Sequence, residues 1–223
     1  MMAFAKNDTA QDVLAWAFEE FGERIALSSA FGPSGIVLMH LAAHVRPQTK
    51  VFFIDTGFHF AETTAMVGRI QARINVQIQV LQPKLNIEEQ NHRYGNDLYI
   101  LQPDTCCAIR KVEPTSRMLS GLDAWVTALR RDQGPTRAHL PMVEKKTMDG
   151  RTVTKVNPMI HWTKAEVWRH ILENDLPYNP LHDRGYPSVG CAPCTRPATD
   201  PNDERSGRWT GHQKTECGLH TFL

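Results

Sequence analysis

The chain has 223 residues, 41% of them hydrophobic and 22% charged, with a formal net charge of +1. That length suits one domain with a full core. The near-neutral balance excludes bulk electrostatic attraction to nucleic acid or to a membrane surface, so any anion site must be built locally. The longest apolar run, residues 36–41, falls far short of the ~20 residues that span a bilayer.

In chain order, residues 8–21 read as an amphipathic packing helix. Asp8 or Thr9 caps it, and Val13, Leu14, Ala17 and Phe18 form its apolar stripe. Residues 25–30 read as a short apolar strand that runs into S-S-A-F-G-P-S-G and a helix over 36–44. Strand, small-residue loop and helix N-terminus make a weak phosphate-cradle signal, with Ser29 in the loop. The stretch matches neither G-x-G-x-x-G nor the Walker pattern with its Lys. Residues 51–54 form an all-apolar strand ending in Asp55, Thr56 and Gly57, a polar triplet where open α/β sheets bind ligands. A helix follows to about Ile74, then a strand over Val76–Leu81 stopped by Pro83, and a helix over 86–94.

Pro103 and Asp104 open another helix that carries Cys106 and Cys107 in its first turn and Lys111 just beyond. A helix N-terminus lowers a thiol pKa and so suits thiolate ligands. Residues 124–129 read as a strand that delivers Arg130 and Arg131 to the sheet edge, with Arg137 close behind; such a trio is an oxyanion clamp or a solvated charged loop. Residues 143–156 read as a hairpin turning at Asp149 and Gly150, ended by Asn157 and Pro158. Thr163 caps a helix to about Glu173, with Glu166 at the capping-box position. After Pro177 regular structure thins out, and Cys191, Cys194 and Cys217 punctuate the rest.

Alternating strands and helices imply one α/β domain with a mostly parallel open sheet, flanking helices and an irregular C-terminal tail. We divide it into a body over 1–200 and a mobile catalytic tail over 201–223. Two cysteine pairs and one single cysteine suggest one four-sulfur site and one reactive thiol. Such pairs hold an iron–sulfur cluster or zinc, or pack as small hydrophobes. No signal peptide is visible, so a cytoplasmic setting with reduced thiols argues against disulfides. Adjacent cysteines point apart, which favours separate corners of a cluster over one tetrahedral ion.

The segments C-C-A-I-R-K-V-E-P, L-R-R-D-Q, G-C-A-P-C-T-R-P and K-T-E-C-G-L-H together resemble the thioredoxin-dependent adenylyl-sulfate reductases of the sulfonucleotide reductase family. The resemblance covers nearly the whole chain. It implies an adenine nucleotide α-hydrolase-like fold and one [4Fe–4S] cluster per subunit on Cys106, Cys107, Cys191 and Cys194. It also implies Cys217 as nucleophile, with substrate contacts near Lys111, Arg131, Arg205 and Arg208. It departs from the pattern at Ser34 and Gly35, where many relatives carry an acidic pair. Relatives lacking the cysteine pairs favour the 3′-phosphorylated substrate, so four cysteines point to adenosine 5′-phosphosulfate (APS).

The expected reaction is attack of Cys217 on the sulfate sulfur, loss of AMP, and release of sulfite by an external dithiol such as thioredoxin or a glutaredoxin-like protein. Lys214, His220 and the arginines are the groups placed to lower the Cys217 pKa. No nicotinamide or flavin fingerprint is visible. Rival readings are a reductase for the 3′-phosphorylated compound, or for both compounds, and an ATP pyrophosphatase of the same fold, whose S-G-G-x-D-S loop is missing here. A zinc-stapled binding module is the non-enzymatic alternative. The sequence leaves the oligomeric state open, a homo-oligomer included.

Overall fold

The computed structural model describes residue 4 and residues 8–148, 150–200, 203–212, 214, 216, 217 and 219. A six-stranded sheet runs in the order β3-β2-β1-β4-β6-β5. Its strands are β1 (Ile25–Ser28), β2 (Thr49–Ile54), β3 (Val76–Leu81), β4 (Ala124–Val126), β5 (Val143–Met148) and β6 (Arg151–Val156). All neighbours pair in parallel except β5, which runs antiparallel to β6. The expected hairpin therefore forms, and its second strand extends the sheet beside β4. Asp149 at its turn lies outside the described residues.

The two-residue period of the strands sorts their side chains between two cores. Ile25, Leu27, Val51, Phe53, Ala124 and Val126 point to one face. That face is covered by α1 (Ala10–Phe21), α2 (Pro33–Val45), α3 (Ala61–Gln71) and α8 (Lys164–Glu173). Ala26, Phe52, Ile54 and Trp125 point to the other, against Leu119 of α7 (Glu113–Leu119) and Leu122, with Leu219 of the tail packed alongside. Three short helices, α4 (Ile87–Tyr94), α5 (Leu98–Leu101) and α6 (Pro103–Cys107), lie between β3 and α7 in the chain.

Local capping chemistry sets several boundaries. Thr9, Asn86 and Thr163 each close a reciprocal capping box, with Asp12, Glu89 and Glu166 respectively. Of the two candidate caps for α1, Thr9 is the one used. Helix α3 ends at Gln71 rather than near Ile74. Strand β4 stops at Val126 rather than at Leu129. The Thr127 hydroxyl donates to Asn157 Oδ1 at 2.5 Å, tying the ends of β4 and β6 together before the chain turns away.

Helices α2 and α8 also meet through imidazoles. His40 Nδ1 lies 3.0 Å from His170 Nε2, and His44 Nδ1 donates to the His40 carbonyl at 2.8 Å. The His40–His170 contact needs at least one bare ring nitrogen. Burial, then the neighbouring His44, His170 and Arg73, lower the His40 pKa to about 4 from the usual 6.5. The unfolded chain therefore takes up a proton that the folded chain refuses. This share of stability is complete above pH 6.5 and declines as the pH falls toward 4. We predict that His40→Gln flattens the loss of stability across that window, measured as the urea midpoint against pH. Parallel profiles for wild type and variant would remove His40 from the effect.

Candidate active site at the carboxyl edge of the sheet

Strand order reverses between β1 and β4, and a cleft of about 270 Å³ opens over their carboxyl ends. Its floor comes from Ser28 and Ser29 at the end of β1, Ile54 and Thr56 at the end of β2, and Thr127 to Arg130 after β4. Helix α2 points its N-terminus into this cleft. Pro33 occupies the first turn and Ile36 N–H makes the first helical bond, to the Gly32 carbonyl at 3.1 Å. The amides of Ser34 and Gly35 therefore have no intrahelical acceptor and face a lining suited to anions. Close packing selects Gly35, because a Cβ there would collide with Ser29 Oγ. Ser34 is buried and accepts a hydrogen bond from Arg130 Nη1. These two contacts hold Ser34 and Gly35, which lie in the first turn of α2 rather than in a loop.

The triplet after β2 divides its labour. Asp55 Oδ1 accepts the Gly57 N–H at 3.0 Å, and Gly57 takes φ = 74°, so these two residues build the turn. Neither lines the cleft. Thr56 does, with its hydroxyl 3.4 Å from Cys191 Sγ.

The arginines also divide. Arg130 is buried in the cleft wall, its Nε 2.9 Å from Asp132 Oδ1. Arg131 turns away and donates to the Leu140 carbonyl at 3.0 Å, outside the cleft lining. Consecutive side chains leave an extended backbone on opposite sides, and Arg130 is extended (φ −130°, ψ 148°). The structure thus brings Ser29, Thr56, Lys111, Arg130, Arg205, Arg208 and Cys217 to one cleft, and leaves Asp55, Gly57 and Arg131 in its framework. His220 lies outside the described residues.

The four paired cysteines meet behind the cleft. Helix α6 ends in Cys106 and Cys107 and passes directly into a π-helical turn, Ala108–Val112. That wider turn carries Lys111. Cys191 is joined to His59 by an isolated bridge, and Ala192 N–H donates to the Phe58 carbonyl at 2.7 Å. Cys106, Cys107, Cys191 and Cys194 line one small cavity with Phe58, Tyr99 and Trp209. Arg110 closes it, held by Gln90, Leu85 and Asn86 at 2.7–2.9 Å.

No cysteine is in a disulfide. Burial, then the nearby Cys191 and Cys194, push Cys106 up to about 11. Burial and Cys191 likewise raise Cys194. Three buried thiols and the partly buried Cys194 around one cavity, with Cys106 and Cys194 held back from ionising, are a donor set that a cationic iron–sulfur centre would stabilise as thiolates. Among the described residues, no group of three or more His, Cys, Asp or Glu is arranged to hold a single metal ion.

Lys111 lines both the cysteine cavity and the cleft. Burial opposes its charge, but the attraction of nearby Cys191, Cys217 and Cys107 outweighs burial and raises its pKa. The tail completes the wall. Trp209 N–H donates to the Cys194 carbonyl at 3.1 Å, and Arg196 N–H to the Gly207 carbonyl at 2.8 Å. Arg208 lies over the Trp209 ring at 4.4 Å and packs on Gly190, where a Cβ would strike its guanidinium. Burial lowers the Arg205 pKa to about 10. Lys214 pairs with Asp104 at the start of α6. Cys217 is partly buried in the cleft wall. The Cys107 thiol, Lys111, the Leu219 amide and Arg208 hold it well below the usual thiol range, against burial. Apart from the Cys107 contact, two cations and an amide act in the same direction.

Sequence reasoning missed Gly190, which lines the cleft, and Glu216, which does not line it but braces two arginines that do. Glu216 pairs with Arg137 and Arg205, and Gly190 makes room for Arg208. The only local signal for Glu216 was its place beside Cys217.

Comparisons with known proteins agree with this geometry. The family model of the phosphoadenosine phosphosulfate reductase domain matches residues 24–197. The adenosine 5′-phosphosulfate reductase of Geobacillus kaustophilus is 49% identical over 217 residues, covering 96% of this chain and 92% of that protein. The phosphoadenosine 5′-phosphosulfate reductase of Gloeobacter violaceus is 48% identical over 211 residues, covering 93% and 87%. Among solved structures, the phosphate complex of phosphoadenylyl-sulfate (PAPS) reductase from Candida auris superimposes with a TM-score of 0.73 at 28% identity, covering 87% of this chain and 99% of that one. The FMN adenylyltransferase of Candida glabrata, at a TM-score of 0.59 and 17% identity over 96% and 79%, shares the fold. By sequence and by structure, the chain belongs to the phosphoadenosine phosphosulfate reductase family.

Proposed function

We propose that the protein is an adenylyl-sulfate reductase of sulfate assimilation, converting APS to sulfite and AMP with electrons from a dithiol protein of the thioredoxin type. One observation carries this reading: Cys217 stands in the wall of a nucleotide-sized cleft beside Lys111, which reaches back to the four-cysteine cavity. The curated relatives point the same way, since four of different Geobacillus and Bacillus origin are named adenosine 5′-phosphosulfate reductases.

The chemistry follows from the residues. The Cys217 thiolate attacks the sulfate sulfur, the bond from sulfur to the bridging oxygen breaks, and AMP leaves with that electron pair. Lys111, Arg205 and Arg208 neutralise charge on the sulfonyl and departing phosphate as it develops. Ser29 and the α2 amides, with Arg130 behind them, hold the nucleotide phosphate. Cys217 then carries an S-sulfonate. One thiol of the partner attacks Cys217 Sγ, sulfite departs, and the second thiol resolves the mixed disulfide. Both electrons come from the dithiol, so no redox change is required of the cluster.

Cys106, Cys107, Cys191 and Cys194 would hold a [4Fe–4S] cluster, whose positive iron core stabilises the buried thiolates and adds to the field at Lys111. The tail from residue 201 onward acts as the moving part, closing over substrate and exposing Cys217 to the partner afterwards. Reduced thiols throughout fit a cytoplasmic enzyme. Among the described residues no helix is long and apolar enough to cross a membrane.

Two predictions follow from this assignment. The protein should release sulfite from APS only with a dithiol protein present, and much more slowly from the 3′-phosphorylated compound. Equal kcat/KM for both substrates would make it a dual reductase; no sulfite from either would refute the assignment. Separately, Cys106→Ser, Cys107→Ser, Cys191→Ser and Cys194→Ser should each lose iron, brown colour and activity together. Full iron in one variant excludes that residue as a ligand. Colourless protein carrying stoichiometric zinc would replace the cluster with a zinc staple.

A further inference from the structure

Glu216 is the residue that the chemistry above leaves unused, and it is nearly fully enclosed at 7% exposure. Its carboxylate receives a fork from Arg137, through Nε to Oε2 at 2.8 Å and through Nη2 to Oε1 at 2.6 Å. Arg205 Nη2 donates to Oε1 at 2.9 Å, and Thr136 Oγ1 to Oε2 at 3.4 Å. The same Oε1 accepts the backbone N–H of Cys217 at 3.1 Å. Arg137 is fixed in turn, its Nη1 bonded to Gln133 Oε1 at 2.5 Å. One buried carboxylate thus links the Gln133 to Arg137 segment of the body to Arg205 and to the backbone of the reactive cysteine.

We infer that Glu216 is a positioning residue, an electrostatic latch that seats Cys217 in the cleft by docking on Arg137 and Arg205. Paired two-pronged contacts of opposite charge fix distance and angle together, which a single contact does not. Backbone attachment matters too. Holding the Cys217 amide sets where its Cβ emerges, so the neighbour helps to aim the thiol alongside the thiol's own contacts with Cys107 and the Leu219 amide. Arg137 is committed to Glu216, whereas Arg208 directs its guanidinium at Gly190 and Ser188. The inference rests on Cys217 being the nucleophile, as proposed above, and its test separates the two.

Glu216→Gln keeps the shape and removes the charge. In anaerobically isolated holoprotein without substrate, iodoacetamide should label Cys217 in this variant about tenfold faster or more, the size expected from losing a charge-assisted fork. Labelling is followed by mass spectrometry of the peptide carrying Cys217. Alkaline buffer ionises the thiol in both proteins, so the rate reads access alone. In turnover with APS, kcat should fall while KM stays at the wild-type value, and Glu216→Asp should recover part of kcat. Arg137→Gln breaks the same fork from the opposite side and should give the same pair of changes, which guards against one variant that simply misfolds. Unchanged labelling in both variants, or a raised KM with wild-type kcat, would overturn the latch. If the wild-type protein forms no sulfite at all, the nucleophile assignment falls, and the labelling comparison still decides the latch.

Discussion

The site depends on one electrostatic constraint: a lysine ammonium held between the paired cysteines and Cys217. Lys111 faces Cys107 and Cys191 on one side and Cys217 on the other. A lone buried ammonium is costly, and so is a lone buried thiolate. Together they offset each other, and the charge of the cavity is coupled to the charge of the cleft through one side chain.

The fold places these groups by simple means. Parallel strands bring their carboxyl ends to one edge, and the reversal of order between β1 and β4 opens the crevice there. The π-turn after Cys107 widens the helix by a residue at the point where Lys111 must face two cavities. Gly35, Gly190 and Gly207 let Ser29 Oγ, the Arg208 guanidinium and the Arg196 carbonyl come closer than any Cβ would allow. Trp209 adopts φ = 46° and lies beneath Arg208, so the chain pays backbone strain to turn the tail back over the cysteine cavity.

Much of this was legible in the sequence because the signals were local. The capping box at Thr163 names its own helix start, and the continuous apolar run over 51–54 announces a strand buried on both faces. The cysteine pairs announce a shared site by spacing. What escaped depended on direction or on distant partners. Arg130 and Arg131 are equivalent as letters, and only the extended backbone decides that Arg130 enters the cleft while Arg131 serves the Leu140 carbonyl. Asp55 looked like a ligand residue, yet its carboxylate caps its own turn. Glu216 was hidden because its partners, Arg137 and Arg205, lie far from it along the chain or across an irregular turn.

The central claim is that the Lys111-supported thiolate of Cys217 is the group that accepts the sulfonyl. Intact protein incubated with APS in the absence of any dithiol, then digested and analysed by mass spectrometry, tests it most directly. The account predicts a single sulfonate on the peptide carrying Cys217, one per chain, with an equal amount of AMP released and no sulfite until a dithiol is added. A sulfonate on another cysteine, or AMP and sulfite released together with Cys217 unmodified, would contradict it.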